Sequence, residues 1–283
     1  MKSVKKKIVV IIILIVLIAV AISCYFLFLN KEKSIEEIEV IEEVQEEIIE
    51  EPINRYKENK NINDDYVGEL YFKSGLIDLP VVEAKGELDD YTFYAFNTGN
   101  PVTNYDLGCE GGPCSLNDVY LRKDWISGEY ELGGSTFMDY RNNLYDQNLI
   151  IYGHLYPKSM DKDRKLMFSG LDLLLNKDNY EINSEIYLEL ENETREYKIA
   201  YVYLFDVTSD DYNNLQYYRT NYEYDYYGDL DEGYYDEYIS RLEQAKLYDT
   251  GVKLTNKDNT LTLQTCFDGN DNLVEIVVAK ELR

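Results

Sequence analysis

The sequence is poor in positive charge and has almost no histidine. It contains 28 lysines and arginines against 54 aspartates and glutamates, which gives a formal net charge of −26. Because contacts to phosphate groups need a basic surface, we expect no nucleic-acid partner. Histidine occurs once, at position 154, so any chemistry that requires an imidazole has a single candidate.

Cysteine is also scarce, with four residues in a chain of 283. Cys109 and Cys114 enclose a Glu-Gly-Gly-Pro run that permits a tight turn, so a disulfide is chemically reasonable outside the cell. Two thiols are the alternative. A metal site at this pair would need more ligands, and neither histidine nor further cysteines lie nearby in the sequence. We predict the disulfide and expect neither a metal nor a cofactor.

A long apolar run lies near the N-terminus, at 8–29. As a helix it spans about 33 Å, which is enough for the hydrocarbon core of a bilayer. Four lysines lie in the preceding tail, 1–7, and acidic residues follow the run, which predicts a cytoplasmic N-terminus. A cleaved signal peptide and a lipoprotein signal ending at Cys24 are the alternatives. We predict an uncleaved single-pass anchor in the cell membrane, with the remainder outside the cell.

The segment 30–54 predicts an acidic helical stalk. Isoleucines and a valine recur at helical spacing among glutamates, Ser34 can cap the helix, and Pro52 ends it. An acidic spacer is favoured over a self-associating helix. The remaining 55–283 is long enough for one domain with its own hydrophobic core.

The candidate chemical groups lie at the ends of two predicted strands. The run Leu261–Cys266 is apolar and β-branched, and a turn-rich loop separates it from a second strand at 274–280. A thiol at a strand end suits a nucleophile, and His154 ends a similar run, 148–154. Taken singly, a small buried cysteine and an ordinary hydrogen-bonded histidine are the favoured interpretations.

The rest of the domain predicts short strands with a few helices. Alternating patterns at 185–191 and 195–207 predict strands, and the patterns at 160–176 and 234–247 predict helices. The segment 210–232 is rich in tyrosine and aspartate and has no clear period. The fold class expected from this order is mostly β, a barrel with peripheral helices.

Three motifs carry a resemblance to a known family. They are Ser-Thr-Phe-Met-Asp-Tyr-Arg-Asn at 135–142, Ile-Ile-Tyr-Gly-His at 150–154 and Thr-Leu-Gln-Thr-Cys at 262–266. In this order they resemble a class B sortase, a membrane-anchored cysteine transpeptidase of Gram-positive bacteria. The resemblance runs from about residue 56 to the C-terminus. It implies the closed β-barrel of sortases, preceded here by the predicted transmembrane helix and stalk.

The resemblance also implies a reaction and its residues. Cys266 would attack the carbonyl after the threonine of an Asn-Pro-x-Thr-like sorting signal on a secreted protein, forming a thioacyl-enzyme. His154 would stabilise the thiolate and protonate the leaving amine. An amine on a cell-wall precursor or on another protein would then accept the acyl group. By position, Asn117, Leu121 and Thr265 are the expected substrate-binding residues.

The sequence departs from the family in three places. Leu155 follows His154 where the family usually has a polar residue. An insertion, 83–116, separates segments that the resemblance would join almost directly. The family arginine that follows the cysteine, which can stabilise developing negative charge, falls here on Val274, with Glu275 beside it. Neither can donate the hydrogen bond, and a carboxylate beside a thiolate would oppose it. Arg141 and Arg219 are other donors in the chain.

Three functional hypotheses follow from that absence. The first is an active sortase that uses a substitute donor or backbone N–H groups. The second is a catalytically weak or inactive relative that binds peptides, and the third is a thiol hydrolase on the same scaffold. The pair of Cys266 and His154 favours the first, because a binding module needs neither.

Overall fold

The computed structural model describes residues 55–96, 98–105, 108–109, 113–209, 232–268, 270 and 272–282. The predicted cytoplasmic tail, transmembrane anchor and acidic stalk lie outside the described residues, as does nearly all of the tyrosine-rich segment 210–232. Over the ranges that are described, the chain forms no helix with the length and apolar character needed to span a membrane.

Eight strands form the framework of the domain. They are β1 (Tyr66–Phe72), β2 (Asp78–Val82), β3 (Phe137–Met138), β4 (Asn148–Tyr152), β5 (Glu185–Glu189), β6 (Thr194–Asp206), β7 (Thr260–Cys266) and β8 (Leu273–Leu282). The α-helices are α1 (Arg55–Ile62), α2 (Tyr180–Asn183) and α3 (Glu232–Ala245). Short 3₁₀ helices cover Leu88–Asp90, Leu116–Asp118, Tyr120–Arg122, Met167–Leu175 and Lys177–Asn179.

The strands close into a barrel in the order β1-β2-β3-β4-β7-β8-β6-β5, with β5 pairing back to β1. The predicted closed β-barrel with few helices is therefore confirmed. Most neighbouring strands are antiparallel, but β4 and β7 run parallel, as do β2 and β3. A parallel pair needs a long crossover, and here the chain between β4 and β7 carries β5, β6 and α3.

Side-chain alternation along β4 and β7 separates the barrel interior from its outer face. The odd-numbered Leu149, Ile151, Leu261 and Leu263 lie in the central hydrophobic core. The even-numbered positions point the other way, because successive side chains in a strand alternate. On that outer face, the hydroxyls of Thr260 and Thr262 each donate to Asn148 Oδ1 at 2.9 Å.

A second core covers the outer face of β6 and β8. Helix α3 packs there through Tyr235, Tyr238 and Leu242, against Tyr201 and Tyr203 of β6. All five of these side chains are fully buried. Part of the high tyrosine content therefore serves packing, with the ring buried as an apolar body.

The insertion 83–116 builds a third core on the outer face of the barrel. Its members from the insertion are Ala84, Phe93 and the disulfide between Cys109 and Cys114, and they pack with barrel residues that include Phe137. A segment that buries an aromatic ring and a disulfide against the sheet is an integral layer of the domain.

The motif at 135–142 shapes the turn into β4. The backbone N–H of Asp139 donates to the Ile150 carbonyl at 2.9 Å. The buried Asn142 amide donates to the Asn148 carbonyl at 3.0 Å and accepts from the Ile150 N–H at 2.8 Å. The side chain of Asn142 therefore binds one carbonyl and one N–H group of β4 and fixes where that strand begins.

We predict that Asn142→Ala lowers the free energy of unfolding by about 2–4 kcal/mol, because it leaves two buried backbone groups unsatisfied. Chemical denaturation measures this difference. Asn143→Ala is the matched control, since the exposed Asn143 side chain accepts one bond, from the Tyr145 N–H at 3.0 Å. A smaller loss for Asn142→Ala than for Asn143→Ala would contradict the assignment.

Candidate active site

The parallel pairing of β4 with β7 brings the histidine and the cysteine together. Tyr152 of β4 lies opposite Gln264 of β7, and the Gly153 N–H continues the pairing by donating to the Gln264 carbonyl at 3.2 Å. Two residues beyond this pair, Cys266 ends β7, and His154 lies in the segment that directly follows β4. Cys266 is even-numbered and belongs to the outer face of β7, and the register continued past Tyr152 places His154 opposite it.

Cys266 is the last residue of β7 and its side chain is exposed. It lies outside the disulfide of the insertion and remains a thiol. The position combines a rigid backbone, supplied by pairing with Val274 of β8, with access to solvent. Such a thiol can meet a bound peptide without a rearrangement of the strand.

The imidazole of His154 is half-buried and held through one ring nitrogen. Its Nε2 lies 2.8 Å from the Leu121 carbonyl oxygen and also contacts Arg122 Nη1. Arg122 itself donates to the same Leu121 carbonyl at 2.8 Å and to the Leu132 carbonyl at 3.2 Å. Nε2 is thus occupied by this segment, and neither contact engages Nδ1.

The two contacts at Nε2 favour different tautomers. Nε2 donates to the Leu121 carbonyl only when it carries the proton, and it accepts from Arg122 only when it does not. In the first tautomer Nδ1 is an acceptor, and in the second it carries the proton. Arg122 therefore bears directly on which nitrogen of His154 is protonated.

The surroundings keep this imidazole neutral. Burial and the nearby positive charge of Arg122 lower the pKa of His154 from its ordinary 6.5 to about 4, although the Leu121 carbonyl opposes the shift. At neutral pH the ring is uncharged. A neutral imidazole can accept a proton, which is the property that a general base requires.

The position expected for the family arginine lies close to the thiol but holds no donor. Val274 pairs with Cys266 and packs into the core under α3. Glu275 points into the barrel and is fully buried. Burial, and after it the nearby Asp172, raises the pKa of Glu275 well above its ordinary value. Contrary to the expectation of a carboxylate beside the thiolate, the Glu275 side chain lies on the inner face, whereas Cys266 belongs to the outer face of β7.

Arg141 and Arg219 are the other donors that the sequence offers for this role. Arg141 binds the buried Asp139 through two bonds, from Nε to Oδ1 at 2.7 Å and from Nη2 to Oδ2 at 2.6 Å. Burial favours a higher pKa for Asp139, but these bonds prevail and lower it. Arg219 lies outside the described residues. The arginine at the site is Arg122, which sequence reasoning missed although it directly follows Leu121.

Two of the predicted substrate-binding residues lie in the segment beside the histidine. Leu121 is adjacent to His154 through its carbonyl, as described above. Asn117 accepts a hydrogen bond from the Tyr140 N–H at 3.0 Å through its side chain. Asn117 thus fixes the backbone of the 135–142 motif with its side-chain oxygen.

Thr265 does not present its side chain to the outer face. It pairs with Glu275, is 3% exposed, and belongs to the odd-numbered, inward series of β7. Its hydroxyl is buried inside the barrel. The residue that shares the face of Cys266 is Gln264, one position earlier, and alternation from the cysteine would have identified it.

Among the described residues, no group of three or more histidine, cysteine, aspartate or glutamate side chains is arranged to hold a metal ion. The site consists of a thiol, an imidazole and a guanidinium together with backbone carbonyls.

Comparisons with known proteins give one consistent result. No protein-family model matches the chain. Sortase B of Staphylococcus aureus is 26% identical over 233 residues, which are 81% of this chain and 75% of that protein. Sortase B of Listeria monocytogenes is 30% identical over 152 residues, 53% of this chain and 54% of that protein.

A solved structure agrees with these relatives. Sortase B of Clostridium perfringens superposes with a TM-score of 0.58 at 26% identity, covering 80% of this chain and 99% of that one. The likeness therefore extends through sequence and fold alike.

We expect the single imidazole to titrate with a midpoint near pH 4. Because the chain has one histidine, its C2–H proton gives one resolvable NMR signal. The unfolded chain binds a proton at His154 below the ordinary pKa of 6.5, whereas the folded chain binds it only near pH 4. The contribution of the neutral imidazole to stability is therefore fully present above pH 6.5. It is lost as pH falls through about 4.

The same signal tests the role of the guanidinium. Arg122→Gln should raise the pKa of His154, because a positive charge beside the ring is removed. Arg141→Gln is the control, since Asp139 already binds that guanidinium. A wild-type midpoint above 6 would refute the electrostatic description of the site.

Proposed function

The chain is a homologue of the class B sortases, and on that premise we propose that it is a sortase-type cysteine transpeptidase. It cleaves a sorting signal after threonine and joins the released acyl group to an amine. The observation that supports this best is the parallel register of β4 and β7, which brings His154, two residues after β4, to the end of the sheet where Cys266 ends β7.

In the first half of the reaction, Nδ1 of His154 takes the thiol proton as the Cys266 sulfur attacks the carbonyl carbon after threonine. The tetrahedral intermediate collapses, the C–N bond breaks, and the leaving amine receives its proton from the imidazole. The product is a thioacyl-enzyme, and His154 is neutral again.

In the second half, an acceptor amine attacks the thioester carbonyl. It gives a proton to His154 as the new amide forms, and the sulfur leaves and recovers that proton. The neutral resting imidazole suits this cycle, because the residue must start each half-reaction as a base.

The proposed setting is the outer surface of the cell membrane. The apolar run at 8–29 anchors the chain, the segment 30–54 is a spacer, and the domain from 55 onward acts outside the cell. The partners are secreted proteins that carry a sorting signal, and the acceptor is an amine on a cell-wall precursor or on a protein. The net charge of −26 is compatible with attraction of a cationic amine.

Two other functions remain as competitors, and both derive from the absence of an arginine at Val274. A catalytically weak relative would bind the peptide without turnover. A thiol hydrolase would use water in place of the amine. The Arg122 guanidinium at His154 favours activity, because it supplies a cation at the site from another segment.

The test is a peptide assay with the full chain in detergent micelles. Asn-Pro-x-Thr-type peptides are incubated with and without a short amine-bearing acceptor, and the products are identified by mass spectrometry. We expect a joined product that depends on the acceptor. Cleavage alone would mark the hydrolase, and saturable binding without any product would mark the binding module.

Variants at the two reacting groups complete the assay. Cys266→Ala should abolish turnover while binding persists, and His154→Ala should lower kcat/KM by about 10²–10⁴-fold. The matched control is Thr265→Val, which changes the neighbouring residue on the inner face and should leave turnover near wild type. Unchanged turnover in Cys266→Ala would end the proposal.

A further inference from the structure

We infer that Phe96 of the insertion and the buried Arg122 form a positioning pair for the His154 imidazole. The insertion 83–116 is then a working part of the active site. This inference rests on the proposed function and names residues of the same site that the family resemblance does not supply.

The first step is the unusual setting of Arg122. Its side chain is 6% exposed, and its Nη1 lies among the carbonyl oxygens of Leu121 and Leu132 and the imidazole Nε2 of His154. A buried guanidinium loses its hydration, so the surrounding protein must provide acceptors for its N–H groups and favourable interactions for its charge. The orientation of the guanidinium therefore depends on everything that packs against it.

The second step is the aromatic ring that covers this guanidinium. The Arg122 Cζ atom lies 4.2 Å from the centroid of the Phe96 ring, well within the range of a cation–π contact. The Phe96 side chain is 44% exposed, so one side of the ring faces solvent while the other shields the cation. The arginine thus lies between the ring and the imidazole.

The third step is how the insertion holds Phe96 in place. The turn around it is closed by the Ala95 N–H, which donates to the Asn100 carbonyl at 2.9 Å. The Tyr94 hydroxyl donates to the Gly128 carbonyl at 3.2 Å, and the Tyr130 hydroxyl to the Phe96 carbonyl at 3.3 Å. The insertion is therefore tied to the segment that follows Arg122.

Gly99 allows the insertion to pack closely against the Tyr130 ring. Gly99 has a φ of +64°, and a Cβ atom there would lie 2.9 Å from the Tyr130 ring. The segment beyond Arg122 also returns to it, since the Glu131 N–H donates to the Arg122 carbonyl at 3.0 Å. The Phe96 ring, the Arg122 guanidinium and Tyr130 are thus linked to one another, and the guanidinium contacts His154.

The consequence for chemistry runs through the imidazole. Arg122 and Nε2 compete for the Leu121 carbonyl, so the position of the guanidinium influences which nitrogen of His154 carries the proton. Loss of the Phe96 ring admits water to the Arg122 guanidinium, which is then held less firmly beside the imidazole of His154. A looser, hydrated arginine leaves His154 less desolvated and farther from a fixed positive charge.

The experiment compares three substitutions of Phe96 in the full chain. Phe96→Tyr keeps the aromatic face, Phe96→Leu keeps apolar bulk without it, and Phe96→Ala removes both. We expect the NMR midpoint of His154 to stay at wild type in the first, to rise in the second and to rise further in the third. We expect kcat to fall about threefold to thirtyfold in Phe96→Leu, the range of a partly desolvated cation–π contact, with KM nearly unchanged.

Two controls separate positioning from general loosening. Tyr94→Phe removes the hydrogen bond to Gly128 from the same insertion but keeps the Phe96 ring, and its His154 midpoint should match wild type. Arg122→Lys keeps a cation and should retain more activity than Arg122→Gln. Thermal unfolding of each variant identifies any change that arises from lost folding.

A wild-type midpoint in Phe96→Leu and Phe96→Ala, measured on folded protein, overturns the inference. An equal shift in Tyr94→Phe overturns it as well, because any disturbance of the insertion would then have the same effect. The titration needs no turnover. Absence of transpeptidation in wild type would therefore defeat the proposed function and still leave the midpoints to decide the role of Phe96.

Discussion

The parallel pairing of β4 with β7 is the constraint on which the rest of this domain depends. It joins two strands that are more than a hundred residues apart in sequence, and it brings the thiol at the end of β7 and the imidazole just after β4 to the same edge of the sheet. The motif at 135–142 sets the start of β4, and Asn142 fixes its first backbone groups. The long crossover through β5, β6 and α3 supplies the opposite wall. The spacing of the backbone at His154 and Cys266 thus follows from a ladder of hydrogen bonds between rigid strands.

Much of the framework could be predicted from the sequence, because periodicity reports local structure and the barrel is built from local pieces. The strands at 148–152 and 260–266 follow apolar, β-branched runs, and the helix at 232–245 follows an amphipathic one. The site was harder. Adjacency to Cys266 predicts Thr265 as a substrate-binding residue, whereas strand alternation turns it inward and leaves Gln264 on the outer face. Glu275 lies beside Val274, the position of the family arginine, and the same alternation places its side chain inside the barrel.

Arg122 shows a different limit of sequence reasoning. It belongs to a short 3₁₀ helix that no periodic pattern marks, and it reaches His154 through a contact between residues 32 positions apart. The family position for a cation lies on β8, whereas the guanidinium of this site comes from the 3₁₀ helix Tyr120–Arg122 and contacts His154 Nε2. The tyrosines carry a similar lesson. Composition does not say where a tyrosine lies, and several of them fill the core beneath α3, where the ring is buried.

The amide of Asn148, which accepts from two threonine hydroxyls across the strand boundary, has a consequence beyond its own hydrogen bonds. Parallel strands have no hairpin to index them, so only side chains can stop one from sliding along the other. A slide of one residue, about 3.3 Å, would reverse every side chain of β7 and carry the sulfur of Cys266 into the hydrocarbon interior. The two hydrogen bonds to Asn148, at the far end of the ladder, thus favour the register in which the thiol of Cys266 is exposed to water.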